Sequence, residues 1–157
     1  MIRVGQGFDV HAFSDDPARP LVLGGVVFPD ARGLVGHSDA DVVAHACADA
    51  LLGACGLGDI GSHFPDTDER WRDASSIDLL VHVAEHLRAE AWLPVNVDCT
   101  VVCETPKLAP ARDEMSSRLS VAVGAPVTVK GKRAEGLGAI GRREGIACWA
   151  VALVERP

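Results

Sequence analysis

The chain contains Gly7-Phe8-Asp9-Val10-His11 and then His37-Ser38-Asp39-Ala40-Asp41-Val42-Val43-Ala44-His45, and these two stretches carry most of its information. They offer Asp9, His11 and His45, and carboxylate oxygen and imidazole nitrogen are both zinc ligands. Asp9 and His11 are separated by one residue, so on an extended segment both side chains point to one face. His45 falls in a helical pattern, from which it can point back at that segment. The two stretches predict a divalent-metal site between a strand and a helix, with a fourth position open to water or substrate.

Each part of this pattern has a simpler interpretation. A single histidine is more often a surface or core residue than a ligand, and Asp-x-His occurs by accident in many proteins. The second stretch strengthens the metal hypothesis, because Ser38-Asp39-Ala40-Asp41 is typical of a capping box that opens a helix. Asp41, His45 and Asp49 then share one helix face. A carboxylate behind a ligating histidine would orient its ring, although the same stripe could be a solvated polar face.

Composition favours one globular domain over residues 1–157. Apolar residues make up 48% and charged residues 24% of the chain, and aromatics only 4%, so the core is expected to consist of Val, Leu, Ile and Ala. No apolar run approaches the roughly 20 residues that span a membrane, and Ile2-Arg3-Val4-Gly5 does not resemble a signal peptide. We expect no membrane partner. The net charge of −7 argues against nucleic-acid binding.

The five cysteines are odd in number, scattered and without a C-x-x-C pair. Free thiols in a reducing cytoplasm fit this usage better than a disulfide framework.

Residues 130–143 form a basic, glycine-rich stretch in a chain that is acidic overall. The stretch contains five basic residues, Lys130, Lys132, Arg133, Arg142 and Arg143, and Glu135 as an acidic residue between them. Such a stretch could receive a phosphate or diphosphate, or it could be an exposed loop without a ligand.

Hydrophobic periodicity predicts a mixed α/β sandwich of the α+β type, with helices on one face of a mixed sheet. Residues 95–104 alternate cleanly, with Asn96, Asp98, Thr100 and Glu104 on a polar face that is either solvated or meets another subunit. The predicted strands are 2–9, 95–104, 126–130 and 146–155, with a hairpin over 21–28. Three helices are predicted. The first begins at Ser38 or Asp39 and ends near Cys55, and the others cover 75–90 and 106–123. Residues 59–74 are predicted to form a loop.

Five motifs in order make the chain resemble the 2-C-methyl-D-erythritol 2,4-cyclodiphosphate synthases of the non-mevalonate isoprenoid pathway. The resemblance runs from Arg3 to Leu153. Its motifs are Gly7–His11, His37–Asp41, Asp49–Ala54, Gly58–Gly61 with Phe64–Asp68, and Gly141-Arg142 with Glu144-Gly145.

The resemblance implies an α/β sandwich that forms a homotrimer with active sites between subunits. It also implies a phosphorus-oxygen lyase acting on 4-diphosphocytidyl-2-C-methyl-D-erythritol 2-phosphate. The 2-phosphate attacks the β-phosphorus of the same molecule, CMP leaves, and the cyclic diphosphate forms.

The resemblance further implies zinc on Asp9, His11 and His45, and a second divalent cation, magnesium or manganese, on Glu135. Arg142 would line a cavity on the trimer axis. The implied catalytic residues are His37, Lys132, Arg133 and Glu135. The implied substrate-binding residues are Asp9, His11, His37, Ser38, Asp59, Ile60, Gly61, Phe64, Pro65, Asp66, Thr67, Asp68, Lys107, Lys132, Arg133, Ala134, Glu135, Ala139 and Arg142.

The chain departs from this family before Glu135. Lys132, Arg133 and Ala134 stand where the family has a threonine-rich stretch whose hydroxyl contacts the diphosphate, and Ala139 replaces an aromatic residue. We expect Lys132 or Arg133 to supply the phosphate contact by charge, and arginine suits phosphate through its planar fork. The alternatives are a catalytically altered trimeric homologue that binds metal and phosphate, or a metal-dependent phosphoesterase.

Overall fold

A computed structural model describes residues 1–157 and contains a four-stranded mixed sheet, a two-stranded hairpin and five helices. The sheet has the order β1-β6-β4-β5, and only its β4–β5 pair is parallel. The predicted mixed α/β class is confirmed. The strands are β1 Ile2–Ala12, β2 Leu21–Leu23, β3 Val26–Phe28, β4 Leu93–Val102, β5 Val127–Lys132 and β6 Gly145–Glu155. The helices are α1 Val42–Cys55, α2 Ile60–His63, α3 Ser76–Ala89, α4 Arg112–Val123 and α5 Gly138–Gly141.

Helix α1 lies directly on β1 and β6, and glycines allow this close approach. A Cβ atom added at Gly7 would lie 2.0 Å from the Ala46 carbonyl oxygen, and one added at Gly5 would lie 2.1 Å from the Ala50 carbonyl oxygen. The backbones of strand and helix therefore touch. This contact brings the end of β1, which carries Asp9, next to the part of α1 that carries His45.

Helix α1 begins at Val42, so the predicted start at Ser38 or Asp39 is wrong. Asp41 is its N-cap, and its carboxylate accepts hydrogen bonds from the Val43 and Ala44 N–H groups. Ala40 has a φ of 58°, which interrupts the helical path before Asp41. The predicted end of the helix at Cys55 is confirmed, with Gly56 as a left-handed C-cap.

Three further predictions about the elements need correction. The predicted loop 59–74 contains α2 and a 3₁₀ turn at Glu69–Trp71. Residues 106–111 form a loop, so α4 begins at Arg112 instead of residue 106. The predicted strand 95–104 is β4 at Leu93–Val102, so residues 103 and 104 lie outside it, and Val95 lies at a bulge and is exposed.

The outer face of the sheet is mixed in character. On β4 it is polar as predicted, because Asp98 accepts from Thr128 and pairs with Lys130 of the neighbouring β5. Large apolar side chains are also exposed on β1 and β6, and their aromatic members Phe8 and Trp149 stack with ring centroids 4.7 Å apart. The alternating pattern of residues 95–104 predicted the polar part of this face on β4, but it gave no sign of the exposed apolar side chains on β1 and β6, here called the apolar stripe.

The inner face of the sheet packs on α1, α3 and α4. All five cysteines are buried free thiols. None of the helices has the length and hydrophobicity to cross a membrane.

Candidate metal centre and substrate cleft

The three predicted ligands converge at the contact between β1 and α1. The Asp9 Oδ2 atom lies 3.0 Å from His11 Nε2 and 3.0 Å from His45 Nδ1, and the two ring nitrogens lie 3.4 Å apart. Tetrahedral zinc with bonds of about 2.1 Å places its ligand atoms about 3.4 Å from one another. The donor set and its spacing therefore fit a zinc ion.

Hydrogen bonds behind the two rings leave the metal-facing nitrogens free. His11 donates from Nδ1 to the Val35 carbonyl oxygen at 2.6 Å, which leaves a lone pair on its Nε2 atom. His45 Nε2 lies 2.8 Å from Ser76 Oγ and 3.2 Å from Ser38 Oγ, so its Nδ1 atom faces Asp9. This is the arrangement in which partners behind a ligating histidine fix its tautomer.

The prediction that Asp41 or Asp49 stands behind His45 is wrong. Asp41 is committed to the cap of α1, and Asp49 accepts a hydrogen bond from the Ile60 N–H at 2.7 Å. The contact is made by the hydroxyl of Ser76. This contact was not predicted, because a serine at the start of a helix carries no residue-type signal of a metal site.

The charges at the triad favour a cation. Burial opposes ionisation of Asp9, but the hydrogen bonds and charges of His11 and His45 outweigh it and hold the pKa of Asp9 well below its usual range. Burial would lower the pKa of His11, but the Asp9 carboxylate raises it above its ordinary value. A divalent cation would bind the same atoms that protons bind, so metal binding would release any proton held there.

The segment from Asp59 to Asp68 is held by hydrogen bonds to two residues on either side of His45 in the sequence, His37 and Asp49. His37 donates from Nε2 to the Asp68 carbonyl oxygen at 3.0 Å, and the Asp49 contact holds Ile60. Asp59 caps α2 by accepting from the Ser62 N–H at 2.8 Å. The predicted substrate residues of this segment therefore lie on a stretch held near both ends, by His37 and by Asp49. The other predicted members are Gly61, Phe64, Pro65, Asp66 and Thr67, of which Phe64 and Pro65 are half-buried and the rest are exposed.

A second cleft of about 340 Å³ brings together Lys107, Lys132 and Arg133. Arg133 donates to Glu104 Oε2 at 2.9 Å, and the Glu104 side chain is only 4% exposed. This contact lowers the pKa of Glu104. The Lys132 and Lys107 ammonium groups make no ion pair in the chain. The two cationic residues in the stretch that replaces the threonines thus have different surroundings. Arg133 is paired with the Glu104 carboxylate, and Lys132 has no ion-pair partner.

The remaining predicted residues are neither ligands of the triad nor hydrogen-bond partners of its side chains. Glu135 is exposed, with a φ of 53°, and is not part of the cluster formed by the three ligands. Arg142 donates to Glu144 at 2.6 Å. Ala134 is half-buried, and Ala139 is exposed in α5.

Comparison with known proteins gives one consistent result. The YgbB family matches residues 2–155. A relative from Geobacillus thermodenitrificans is 52% identical over 159 residues, covering 99% of this chain and 98% of the relative. Another from Rubrobacter xylanophilus is 57% identical over 159 residues, covering 98% and 95%. Both are named 2-C-methyl-D-erythritol 2,4-cyclodiphosphate synthase. The structure of Plasmodium falciparum IspF in complex with CDP has a TM-score of 0.85 at 32% identity, covering 99% of this chain and 96% of that one.

Proposed function

The chain belongs to the YgbB family, and we propose that it converts 4-diphosphocytidyl-2-C-methyl-D-erythritol 2-phosphate into 2-C-methyl-D-erythritol 2,4-cyclodiphosphate with release of CMP, as a phosphorus-oxygen lyase. The observation that carries the proposal is the Asp9, His11 and His45 triad, whose ligand atoms lie 3.0–3.4 Å apart with both rings oriented from behind. Nothing in the comparisons favours a phosphoesterase or a binding protein without catalysis.

The reaction brings two phosphate groups of one substrate together, and their like charges oppose the approach. Bound at the triad, zinc would supply positive charge and polarise a phosphoryl oxygen. Glu135 would hold the second divalent cation, magnesium or manganese, because hard cations prefer carboxylate and phosphate oxygens.

The side chains of the protein would act by positioning, since the substrate provides its own nucleophile. The His37 Nε2–H group donates a hydrogen bond to the Asp68 carbonyl oxygen. This contact fixes the His37 ring, which would stand beside the substrate phosphates. Ser38 is buried beside His45, on the side of the ring opposite Asp9.

The cleft with Lys107 and Lys132 would receive the cytidine diphosphate part of the substrate. A structural relative at 32% identity binds CDP. Because Arg133 is engaged by Glu104, Lys132 is the free cation and the better candidate for the diphosphate contact. The departure from the threonine pattern would then exchange a hydroxyl donor for a charged one.

Assembly as a homotrimer would complete this site. Strands β1 and β6 expose several large apolar side chains, namely Val4, Phe8, Val10, Trp149 and Val151. A contiguous apolar surface of this kind marks an interface. One chain leaves Glu135 outside the cluster of metal ligands, and a neighbouring subunit could supply it. Arg142 and Ala139 would then line a cavity on the trimer axis. The five buried thiols support a cytoplasmic location.

The experiment is incubation of zinc- and magnesium-loaded protein with the diphosphocytidyl substrate, followed by measurement of CMP and of the mass of the second product. Release of CMP with the cyclic diphosphate supports the proposal. A product heavier by one water would indicate a phosphoesterase, and binding without CMP release would indicate a non-catalytic homologue. His45→Ala is the matched variant and should lose both zinc and turnover.

A further inference from the structure

The contacts behind His45 continue beyond Ser76 to a carboxylate. The Ser76 hydroxyl hydrogen-bonds Asp39 Oδ1, and the Ser76 backbone N–H donates to Asp39 Oδ2 at 3.1 Å. The Asp41 N–H donates to Asp39 Oδ1, also at 3.1 Å. Ser76 is 1% exposed. Asp39 is therefore fixed by three donors, one of which is the hydroxyl that contacts the histidine.

The direction of these hydrogen bonds follows from the groups involved. A carboxylate only accepts hydrogen bonds, so the Ser76 hydroxyl must donate its single hydrogen to Asp39. Its oxygen is then left to accept, and the only donor that His45 can offer at 2.8 Å is an Nε2–H. With the proton fixed on Nε2, the Nδ1 atom of a neutral ring keeps its lone pair toward Asp9 and His11.

Ser38 cannot impose the same direction. Its Oγ atom is farther from His45 Nε2, at 3.2 Å, and it already accepts from the Ala40 N–H at 3.2 Å. No carboxylate accepts its hydroxyl hydrogen, and the serine oxygen within its reach is Ser76 Oγ at 3.4 Å. Of the two hydroxyls beside the ring, only that of Ser76 has its orientation set by a charge.

We infer that Ser76 and Asp39 are positioning residues of the metal centre, which fix the tautomer and angle of His45 through a carboxylate–hydroxyl–imidazole relay. The inference rests on the proposed zinc triad and deepens it. Because Ser76 is the first residue of α3, the relay also makes zinc affinity depend on how α3 sits against α1.

The test compares Ser76→Ala with Ser75→Ala in the full-length protein. Ser75 is the N-cap of the same helix and accepts from the Asp78 N–H at 3.3 Å without touching His45. Its variant therefore controls for loss of a hydroxyl and of helix stability. Zinc affinity is measured by competition with a chromogenic chelator. Ser76→Ala should weaken it about ten- to a hundredfold, as is usual for a lost partner behind a ligand, whereas Ser75→Ala should leave it unchanged.

A spectroscopic measurement separates positioning from a general structural effect. In zinc-loaded protein the His45 Nε2–H should give a nitrogen-15-coupled proton signal protected from solvent exchange, and Ser76→Ala should lose that protection. Asp39→Asn serves as a second variant in case Ser76→Ala does not fold. It should also lower the affinity for zinc.

Unchanged zinc affinity in both variants, or a protected signal that survives in Ser76→Ala, would overturn the relay while leaving the proposed function intact. If the unmodified protein binds no zinc, the metal assignment and the relay fail together.

Discussion

Replacing Gly7 with alanine should disrupt the metal centre without touching any ligand. Gly7 lies two residues before Asp9 on β1, and the carbonyl that an added Cβ would meet belongs to Ala46, the neighbour of His45 on α1. The substitution therefore acts on the contact that holds the two halves of the triad together.

The size of the effect follows from the distances. The new Cβ would lie 2.0 Å from the Ala46 carbonyl oxygen and 2.6 Å from the Ala50 nitrogen, whereas real contacts stay above 3.0 Å. Strand and helix must then separate by at least 3.0 − 2.0 = 1.0 Å at this point. Metal sites tolerate ligand errors of about 0.2 Å, and a misplacement of about 1 Å can cost a hundredfold in function. Overpacking in a core also costs about 1–3 kcal/mol of stability.

The assay is zinc affinity by chelator competition together with the urea-unfolding midpoint. Gly7→Ala should bind zinc at least tenfold more weakly and unfold at lower urea. Gly53→Ala is the control, since a Cβ at this exposed position on α1 would have Gln6 oxygen as its nearest neighbour at 3.8 Å. That variant should keep its zinc affinity. Unchanged affinity and midpoint in Gly7→Ala would refute the idea that backbone contact sets the ligand spacing.

Three further predictions follow from single side chains. Lys132→Ala should slow CMP release about ten- to a hundredfold, the equivalent of a charged hydrogen bond of about 1.5–3 kcal/mol, with zinc content unchanged. Arg133→Ala should slow it less, and the reverse order would contradict the assignment of Lys132. Trp149→Glu, on the exposed apolar stripe, should convert a trimer into monomers in light scattering at micromolar concentration, and an unmodified protein that is already monomeric would argue against shared sites. Asp41→Ala should lower the free energy of unfolding in urea by about 1–2 kcal/mol, because it removes the oxygen that accepts from the Val43 and Ala44 N–H groups at the helix N-terminus; equal stability would contradict the capping role.

Much of the fold follows from local signals. The hairpin at 21–28 turns at Gly24 and Gly25, which both have positive φ as its glycine pair suggested. The strand at the C-terminus and the helix that follows Ser75 were predicted within a few residues. These elements have clean periodicity and glycine or serine at their ends, so the sequence nearby determines them. The start of α4 was not predictable in this way, because Leu108 is buried from a loop and extends the helical pattern falsely.

The three residues of the candidate metal site were predictable for a different reason than the groups that hold their side chains in place. Asp9, His11 and His45 have side chains that bind metal, so residue type alone marks them. Ser76 and the Val35 carbonyl have no such mark, and they reach the rings only because α3 and the segment before His37 pack there. The apolar stripe with Phe8 and Trp149 was missed for a related reason, since register across two strands distant in sequence creates it.

The stretch Ser38–Asp41 shows how one motif can be recognised and still be misinterpreted. Its spacing suggested one capping box, but the residues serve separate elements. Ser38 contacts His45, Asp39 holds the start of α3, and Asp41 caps α1 while accepting from the Gly24 and Gly25 N–H groups of the hairpin at 2.8 and 2.7 Å. Two helices, the hairpin and the metal centre therefore meet at these residues. A change that disturbs this junction should impair zinc binding and folding together, whereas a change at the Lys132 cleft should affect turnover alone.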